Sequence, residues 1–354
     1  MKRLFRITLL LGLLLAVGLA FAGWHLYQRT DRPFRGYSEA ERTLIVAPGS
    51  GVRSILADLH AAGIVEDPTV ARLYLVHVLD DPPLQAGEYR FREALSTRQV
   101  LARLIRGDIV THPVTVIEGK TVEETAEALA AAGFGDAEAF VAAMRDPSPI
   151  LDLDPAAEDL EGYLFPDTYR FPRGVDEKTI VATLVETFRQ RLEAIERPAD
   201  VSVRELVTLA SIVEKEAQLA DERPVIAGVY RNRLDRGIAL YADPTVIYAL
   251  KRLGRWDGNI RRPDLQLDSP YNTYRYPGLP PGPICSPGAA SLAAAAAPAD
   301  VPFLYFVSRN DGSHVFARTL AEHNRNVNEW QKRYWRKRWA EERRAAAAAP
   351  DTPP

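Results

Sequence analysis

The sequence is poor in the residues that most often announce a mechanism. A single cysteine, Cys285, rules out an internal disulfide and any thiolate zinc cluster. The six histidines form no metal constellation: His314 and His323 are the nearest candidates, and neither has a second histidine at helical spacing. No charge sign dominates. With 44 Lys+Arg against 47 Asp+Glu, a formal net charge of -3 and a pI near 6.1, there is no global basic field, and nucleic acid is not expected as a main partner. A Walker A loop, a G-x-G-x-x-G turn and a G-x-S-x-G elbow are all missing, so the common signatures of nucleotide binding and of α/β-hydrolase chemistry are absent. What is present is a chain of 354 residues, 47% hydrophobic, enough for about two domains with real cores; disorder and collagen are excluded.

One long apolar run stands out. Lys2, Arg3 and Arg6 precede an uncharged stretch from Ile7 to Trp24 that reaches the lower end of the roughly 17 to 25 residues a spanning helix needs. It reads as a single-pass plasma-membrane anchor (1–24) with a cytoplasmic N-terminus and an interfacial tryptophan. Ala20-Phe21-Ala22 has the small-x-small form of a signal-peptidase site, so cleavage stays open. Either outcome exports everything after His25 and argues against a cytosolic ATP- or NAD-dependent enzyme.

The stretch 25–42 is polar and arginine-rich and reads as a tether. Over 43–112, Leu44-Ile45-Val46 predicts a strand. Val52, Ile55, Leu56 and Leu59 then predict a helix closed by Gly63, and Asp67-Pro68 opens a second helix to Leu79. Gly87–Phe91 alternates like a strand, and a helix around Val100 and Leu104 closes at Gly107. The pattern Gly49, Val52, Leu59, Ala61, Ala62, Gly63 recurs seventy residues on at Gly119, Val122, Leu129, Ala131, Ala132, Gly133. There Val114–Ile117 predicts the strand in front and Thr121 with Glu124 a capping box, so 113–150 reads as a possible second small α/β module. From about residue 200 to 330 the chain is richer in helix: Val203 to Ala220 is strongly helical, and Pro224 opens another helix that Gly237 ends. The end, 331–354, is basic and aromatic and then low in complexity. It reads as a fraying solvated helix or, alternatively, as a contact for anionic lipid or wall polymer.

The segment Leu206 to Glu216 carries the sharpest chemistry. On a helix, Leu206, Leu209, Val213 and Glu216 fall on one stripe while Glu214 points elsewhere, which puts the Glu216 carboxyl on an apolar face. Burial there raises its pKa, and a protonated glutamic acid beside a cleft is the proton donor that glycosidic cleavage requires. The alternative is a helix-end glutamate paired with Arg231 or Arg233. Ser211 and Lys215, at i and i+4, admit a Ser-Lys nucleophile, but Lys215 lies near the polar side, where a lysine keeps its proton. Three other segments are unusual. Glu161 to Phe171 sets aromatics at alternate positions, as in a sugar groove or a core strand. Asp243 before Pro244 reads as a helix cap. Ser269 to Ile284 is a stiff Tyr/Pro/Gly loop.

Taken together, E-G-Y-L-F-P-D-T-Y, L-A-S-I-V-E-K-E, A-D-P-T-V-I-Y, Y-N-T-Y and G-L-P-P-G-P-I behind one N-terminal membrane helix resemble the YceG-like family of bacterial endolytic murein transglycosylases, over roughly residues 40 to 330. The resemblance implies an α+β chain: a LysM-like module at 43–112, then a mixed lytic transglycosylase region at 113–330 with its catalytic core at 200–330. It implies cleavage of peptidoglycan strands to 1,6-anhydro ends without metal or cofactor, and work beside glycan-polymerising synthases. The family's catalytic glutamate, the second Glu of E-K-E, falls on Glu216. Glu161, Tyr163, Asp243, Tyr271, Asn272 and Tyr274 are the candidate groove residues. Cys285 departs from the small residue expected in P-G-P-I-C-S-P-G and is expected to pack as a hydrophobe. Two other classes remain: a non-catalytic wall-binding assembly protein, and a Ser-Lys hydrolase of peptide stems.

Overall fold

The computed structural model describes residues 2–348, and the chain divides into two compact units: 1–113 with 170–174, and the remainder. The side chains of Lys2, Arg3 and Arg6, expected to orient the anchor, and the tail residues 349–354 lie outside the described set.

The first unit begins with α1 (Lys2–Asp31), the one helix among the described residues long and apolar enough to cross a membrane. From Leu9 to Trp24 the large apolar side chains among the described residues are exposed. The expected tether is a correction. Helix α1 continues through 25–31, Thr30 is fully buried, and Pro33–Phe34 (β1) pairs with Leu95–Ser96, so order begins well before Thr43. The cause is long-range: Arg98 donates to Asp31 at 3.1 Å and lies over the Tyr27 ring, contacts no local pattern announces.

The expected strand, two helices and strand are then present as β2 (Arg42–Val46), α2 (Val52–Ala61), α3 (Pro68–His77) and β3 (Gly87–Phe91), followed by β4 (Leu95–Ser96) and α4 (Thr97–Arg106). Strands β2 and β3 are antiparallel, with Leu44 opposite Tyr89. The period-2 rule holds, since Leu44 and Val46 face the core while Ile45 is 74% exposed. Ile55, Leu59, Leu75, Tyr89, Phe91, Leu101 and Leu104 form that core. Asp67 caps α3 through the backbone N–H groups of Thr69 and Val70, and Gly107 closes α4 in the left-handed region.

Strands β5 (His112–Thr115) and β6 (Thr168–Phe171) fall where the chain passes from one unit to the other. The second unit holds α5 (Val122–Ala131), α6 (Ala137–Met144), α7 (Glu177–Glu193), α8 (Val203–Glu216), α9 (Arg223–Asp235), α10 (Asp243–Arg252) and α11 (Ala289–Ala296). The hairpin β7 (Tyr305–Ser308) and β8 (His314–Ala317), then α12 (Leu320–Val327) and α13 (Tyr334–Ala348), complete it. The Thr121–Glu124 capping box is formed, and Gly119 and Gly133 take φ of 75° and 79°, as Gly49 and Gly63 take 78° and 70°. The sequence repeat is therefore also a repeat of local backbone geometry.

Helix α8 is the centre of this unit. Leu206, Val207, Ala210, Ile212 and Val213 are all buried, and α9, α10 and α11 pack around it. The alanine-rich face of α11 permits close approach, and Glu214 fixes its start by accepting from Gly288 N–H and Ser291 Oγ at 3.1 and 2.7 Å. Helix α8 stops at Glu216 and not at Ala220, because Ala217 turns to extended backbone and buries its side chain. Packing overrides a locally helical composition there.

Candidate active site

The early end of α8 leaves Glu216 on its last turn, at the wall of an open cleft of about 460 Å³. Helix α9 supplies Tyr230 and Arg233, the start of α10 supplies Asp243, the loop after it Tyr274, and the β7–β8 hairpin Tyr305, Phe306 and His314. Tyr230 is fully buried and donates its hydroxyl to Glu216 Oε1 at 3.1 Å. Among the described residues, Glu216 has no other hydrogen-bond partner. Burial pushes its carboxyl up to about 7; the Tyr230 hydrogen bond opposes this, the nearby Asp243 charge adds to it and Arg233 opposes it. The group is therefore close to half-protonated at neutral pH. The expected alternative, a pair with Arg233, is not formed. That guanidinium donates instead to the carbonyls of Leu304 and Leu240, both at 2.6 Å, and lies 5.1 Å from the Tyr305 ring centroid.

Asp243 is not the cap its sequence suggests. It is the first residue of α10, Ala242 holds the cap position, and the carboxylate accepts from Tyr274 Oη at 2.5 Å across the cleft. The two motifs that carry these residues are joined underneath: Thr273 Oγ1 accepts from Ala242 N–H at 3.0 Å and meets Thr245 Oγ1 at 2.9 Å. Asn272, fully buried, donates to the carbonyls of Leu265 and Leu267 and accepts from Tyr274 N–H. It lines no cleft and instead holds the tyrosine in place. Between α9 and α10, Tyr241 sits at φ 48°, a strained conformation for a non-glycine residue, and its ring lies 5.3 Å from that of Tyr274.

The remaining candidates lie elsewhere in the same unit. Glu161, Tyr163 and Tyr271 line a second, much narrower cleft with Arg204 and Arg252. There Tyr163 donates to Asp154 at 2.5 Å, Asp154 accepts from Arg204 at 2.8 Å, and Arg204 reaches the Pro281 carbonyl. Glu161 is 4% exposed and accepts from Val122 N–H at the start of α5; burial first, then the charges of Asp159 and Glu123, push its carboxyl well above the usual carboxylate range. These are the marks of buried supports, and the aromatics of 161–171 are core: Tyr163, Phe165, Tyr169 and Phe171 are all buried. Ser211 is likewise committed, donating to the Thr208 carbonyl and accepting from Ile284 N–H, while Lys215 donates to the Gly119 carbonyl. No Ser-Lys pair results. Cys285 is fully buried, donates weakly to the Ser211 carbonyl and packs as a hydrophobe, its thiol pushed up by burial.

Sequence reasoning missed the hairpin wall. Its only local signal was Asn310-Asp311-Gly312, where Asn310 and Gly312 take φ of 64° and 90° to reverse the chain. Within that wall Glu222 binds both His314 N–H and Nδ1, at 2.9 and 2.7 Å. Tyr230 carried a fainter signal, a tyrosine on an aliphatic face whose hydroxyl needs a partner.

The cleft thus combines one carboxyl poised near neutrality, one carboxylate, one desolvated guanidinium and a row of aromatic faces, a set suited to proton transfer on a polar substrate with flat apolar faces. Comparisons with known proteins place the chain among relatives of one name. Relatives named endolytic murein transglycosylase include one from Bacillus subtilis strain 168, 32% identical over 331 residues, covering 87% of this chain and 90% of that one. Another, from Streptococcus pneumoniae strain D39, is 30% identical over 92% of this chain, which spans only 65% of that longer relative. A crystal structure of a YceG-like protein from Listeria monocytogenes matches with a TM-score of 0.53 at 31% identity, over 81% of this chain and 99% of that one. The model of the YceG-like family itself matches residues 44–329, and the chain belongs to that family.

Proposed function

We infer that this protein is an endolytic murein transglycosylase, a lyase that cuts peptidoglycan glycan strands internally, with Glu216 as its acid and base. The observation that carries the assignment of Glu216 is a carboxyl near pKa 7, held by Tyr230 at the wall of the aromatic cleft. The protonated Glu216 gives its proton to the oxygen bridging N-acetylmuramic acid to N-acetylglucosamine. The carboxylate so formed takes the proton of the muramoyl 6-hydroxyl, whose oxygen closes on C1 to leave a 1,6-anhydro end. Because the nucleophile belongs to the substrate, proximity replaces a positioned water and one carboxyl serves twice. Asp243, Tyr274 and the cleft aromatics bind and orient the sugar rings.

The same reading makes 43–112 a LysM-like glycan-binding module, 113–330 the catalytic region and α1 a retained single-pass anchor with its N-terminus in the cytoplasm. It also places the enzyme beside glycan-polymerising synthases, ending nascent strands. The test is digestion of purified peptidoglycan by the full-length protein in detergent, as wild type and as Glu216→Gln, with mass spectrometry of the products. Internal fragments ending in 1,6-anhydromuramic acid, lost in the variant, are expected. Reducing ends would overturn the lyase step and give Asp243, which faces the same cleft, the place of a second carboxylate. Unaltered glycan would favour a wall-binding protein.

A further inference from the structure

We propose that α13 is a membrane-surface helix that seats Trp335 and Trp339 at the headgroup level of an anionic phospholipid bilayer, a second membrane contact carried by the other unit from α1. The chain as a whole is slightly acidic, yet between residues 332 and 344 seven basic side chains stand against two acidic ones. The turn before α13 is well rooted: Trp330 accepts from Asn310 Nδ2 at 2.6 Å through its carbonyl, Arg309 lies over its ring, and Gln331 donates to the Ser308 carbonyl. Beyond that turn, among the described residues, no other element packs extensively along α13.

Its uncovered face has a definite chemistry. Trp335 and Trp339, one turn apart with ring centroids 6.2 Å from each other, share a shallow open groove with Lys332 and Arg336, and Trp339 is 55% exposed. Arg343, also exposed, falls on the same side, so three cations and two indoles occupy an arc of roughly 100°. An exposed helix in water gains nothing from two large indoles. A polyphosphate in solution recruits cations alone, whereas an interface between headgroup and acyl chain takes tryptophan and lysine or arginine together. The length and composition of α1 supply the second observation, since that helix is long and apolar enough to cross a bilayer.

The full-length protein in lipid nanodiscs, followed by amide hydrogen exchange, tests this without reference to catalysis. On discs of phosphatidylcholine with phosphatidylglycerol, amides of 334–344 are expected to exchange at least about tenfold more slowly than on phosphatidylcholine alone. The difference should vanish in about 0.5 M salt, where the Debye length is only a few ångströms. It should also shrink in the double variant Lys332→Glu/Arg336→Glu. Exchange elsewhere reports whether the variant folds, and if it does not, the salt series on the wild type decides. Equal exchange on the two disc types overturns the proposal. So does protection that depends on the number of chains per disc and not on lipid, which would place a second copy on this face. Equal protection by a soluble polyphosphate on neutral discs would give the face to a wall polymer.

Discussion

At the scale of single residues, one carboxyl sets both the stability and the activity expected to change with pH. Glu216 has its folded pKa raised from 4.5 to about 7, so protonation favours the folded state at low pH, and that stabilisation is lost as pH rises through 7. Well above 7 the ionised group costs at most about 3 kcal/mol. Glu216→Gln should therefore be nearly neutral for stability at pH 5 and raise the melting temperature by several degrees at pH 9, measured calorimetrically across that range. Activity has the matching sign. In the proposed mechanism Glu216 must carry its proton, which it does below 7, so kcat/KM should fall as pH rises through that value. Tyr230→Phe removes a hydrogen bond that lowers this pKa, so the alkaline limb should move upward while kcat drops about tenfold with little change in KM. An unmoved limb in that variant would show that Tyr230 only fills space.

At the scale of elements, Glu214 and Glu216 show how two carboxyls a turn's breadth apart take different work. Glu214 faces away from the cleft, 3.6 Å from Arg223, and binds the first turn of α11 through Gly288 and Ser291. Glu214→Ala removes the two hydrogen bonds that hold the start of α11 and leaves Arg223 its bond to Ser291, so thermal unfolding should reveal a loss of about 2 kcal/mol. Surviving protein should keep the pH profile of the wild type. Ser211→Ala should cost about 1 kcal/mol through two lost hydrogen bonds and leave glycan cleavage intact; abolished cleavage in a folded Ser211→Ala protein would revive the nucleophile. These elements also show what the sequence made legible. The helical stripe of α8, the Thr121–Glu124 box, the glycine closing α4 and the strands around Leu44 and Tyr89 are set by neighbours a few residues away, and periodicity reads them directly. The meeting of Asp243 with Tyr274 and the seating of the hairpin wall through His314 on Glu222 are set by partners 31 or more residues apart, where no local pattern speaks. That is why Glu216 was legible from its stripe while the aromatic wall facing it was not.

At the scale of the whole molecule, α1 is two things in one helix. From Leu9 to Trp24 the described apolar side chains are uncovered, on a stretch long and apolar enough to cross a membrane, whereas from Tyr27 to Asp31 the helix is part of the first unit's own packing. Thr30 is fully buried, Arg29 meets Asp67 at 3.4 Å, Asp31 meets Arg98 at 3.1 Å, and Arg98 lies 4.7 Å from the Tyr27 ring centroid. The ion pairs are exposed and worth little singly. The buried Thr30 and the cation over an aromatic face bring the sum to about 1 to 2 kcal/mol. Cleavage after Ala22 would spare all of these contacts, and a start at Arg32 would remove them. Two soluble forms, one beginning at His25 and one at Arg32, should thus differ in the unfolding of the first unit by that amount, read by urea titration with exchange of the α3 and α4 amides as the local probe. The second unit should unfold identically in both. If the two forms are equally stable, the helix end is a passive stalk; if they differ as expected, residues 27–31 are part of the first unit's fold.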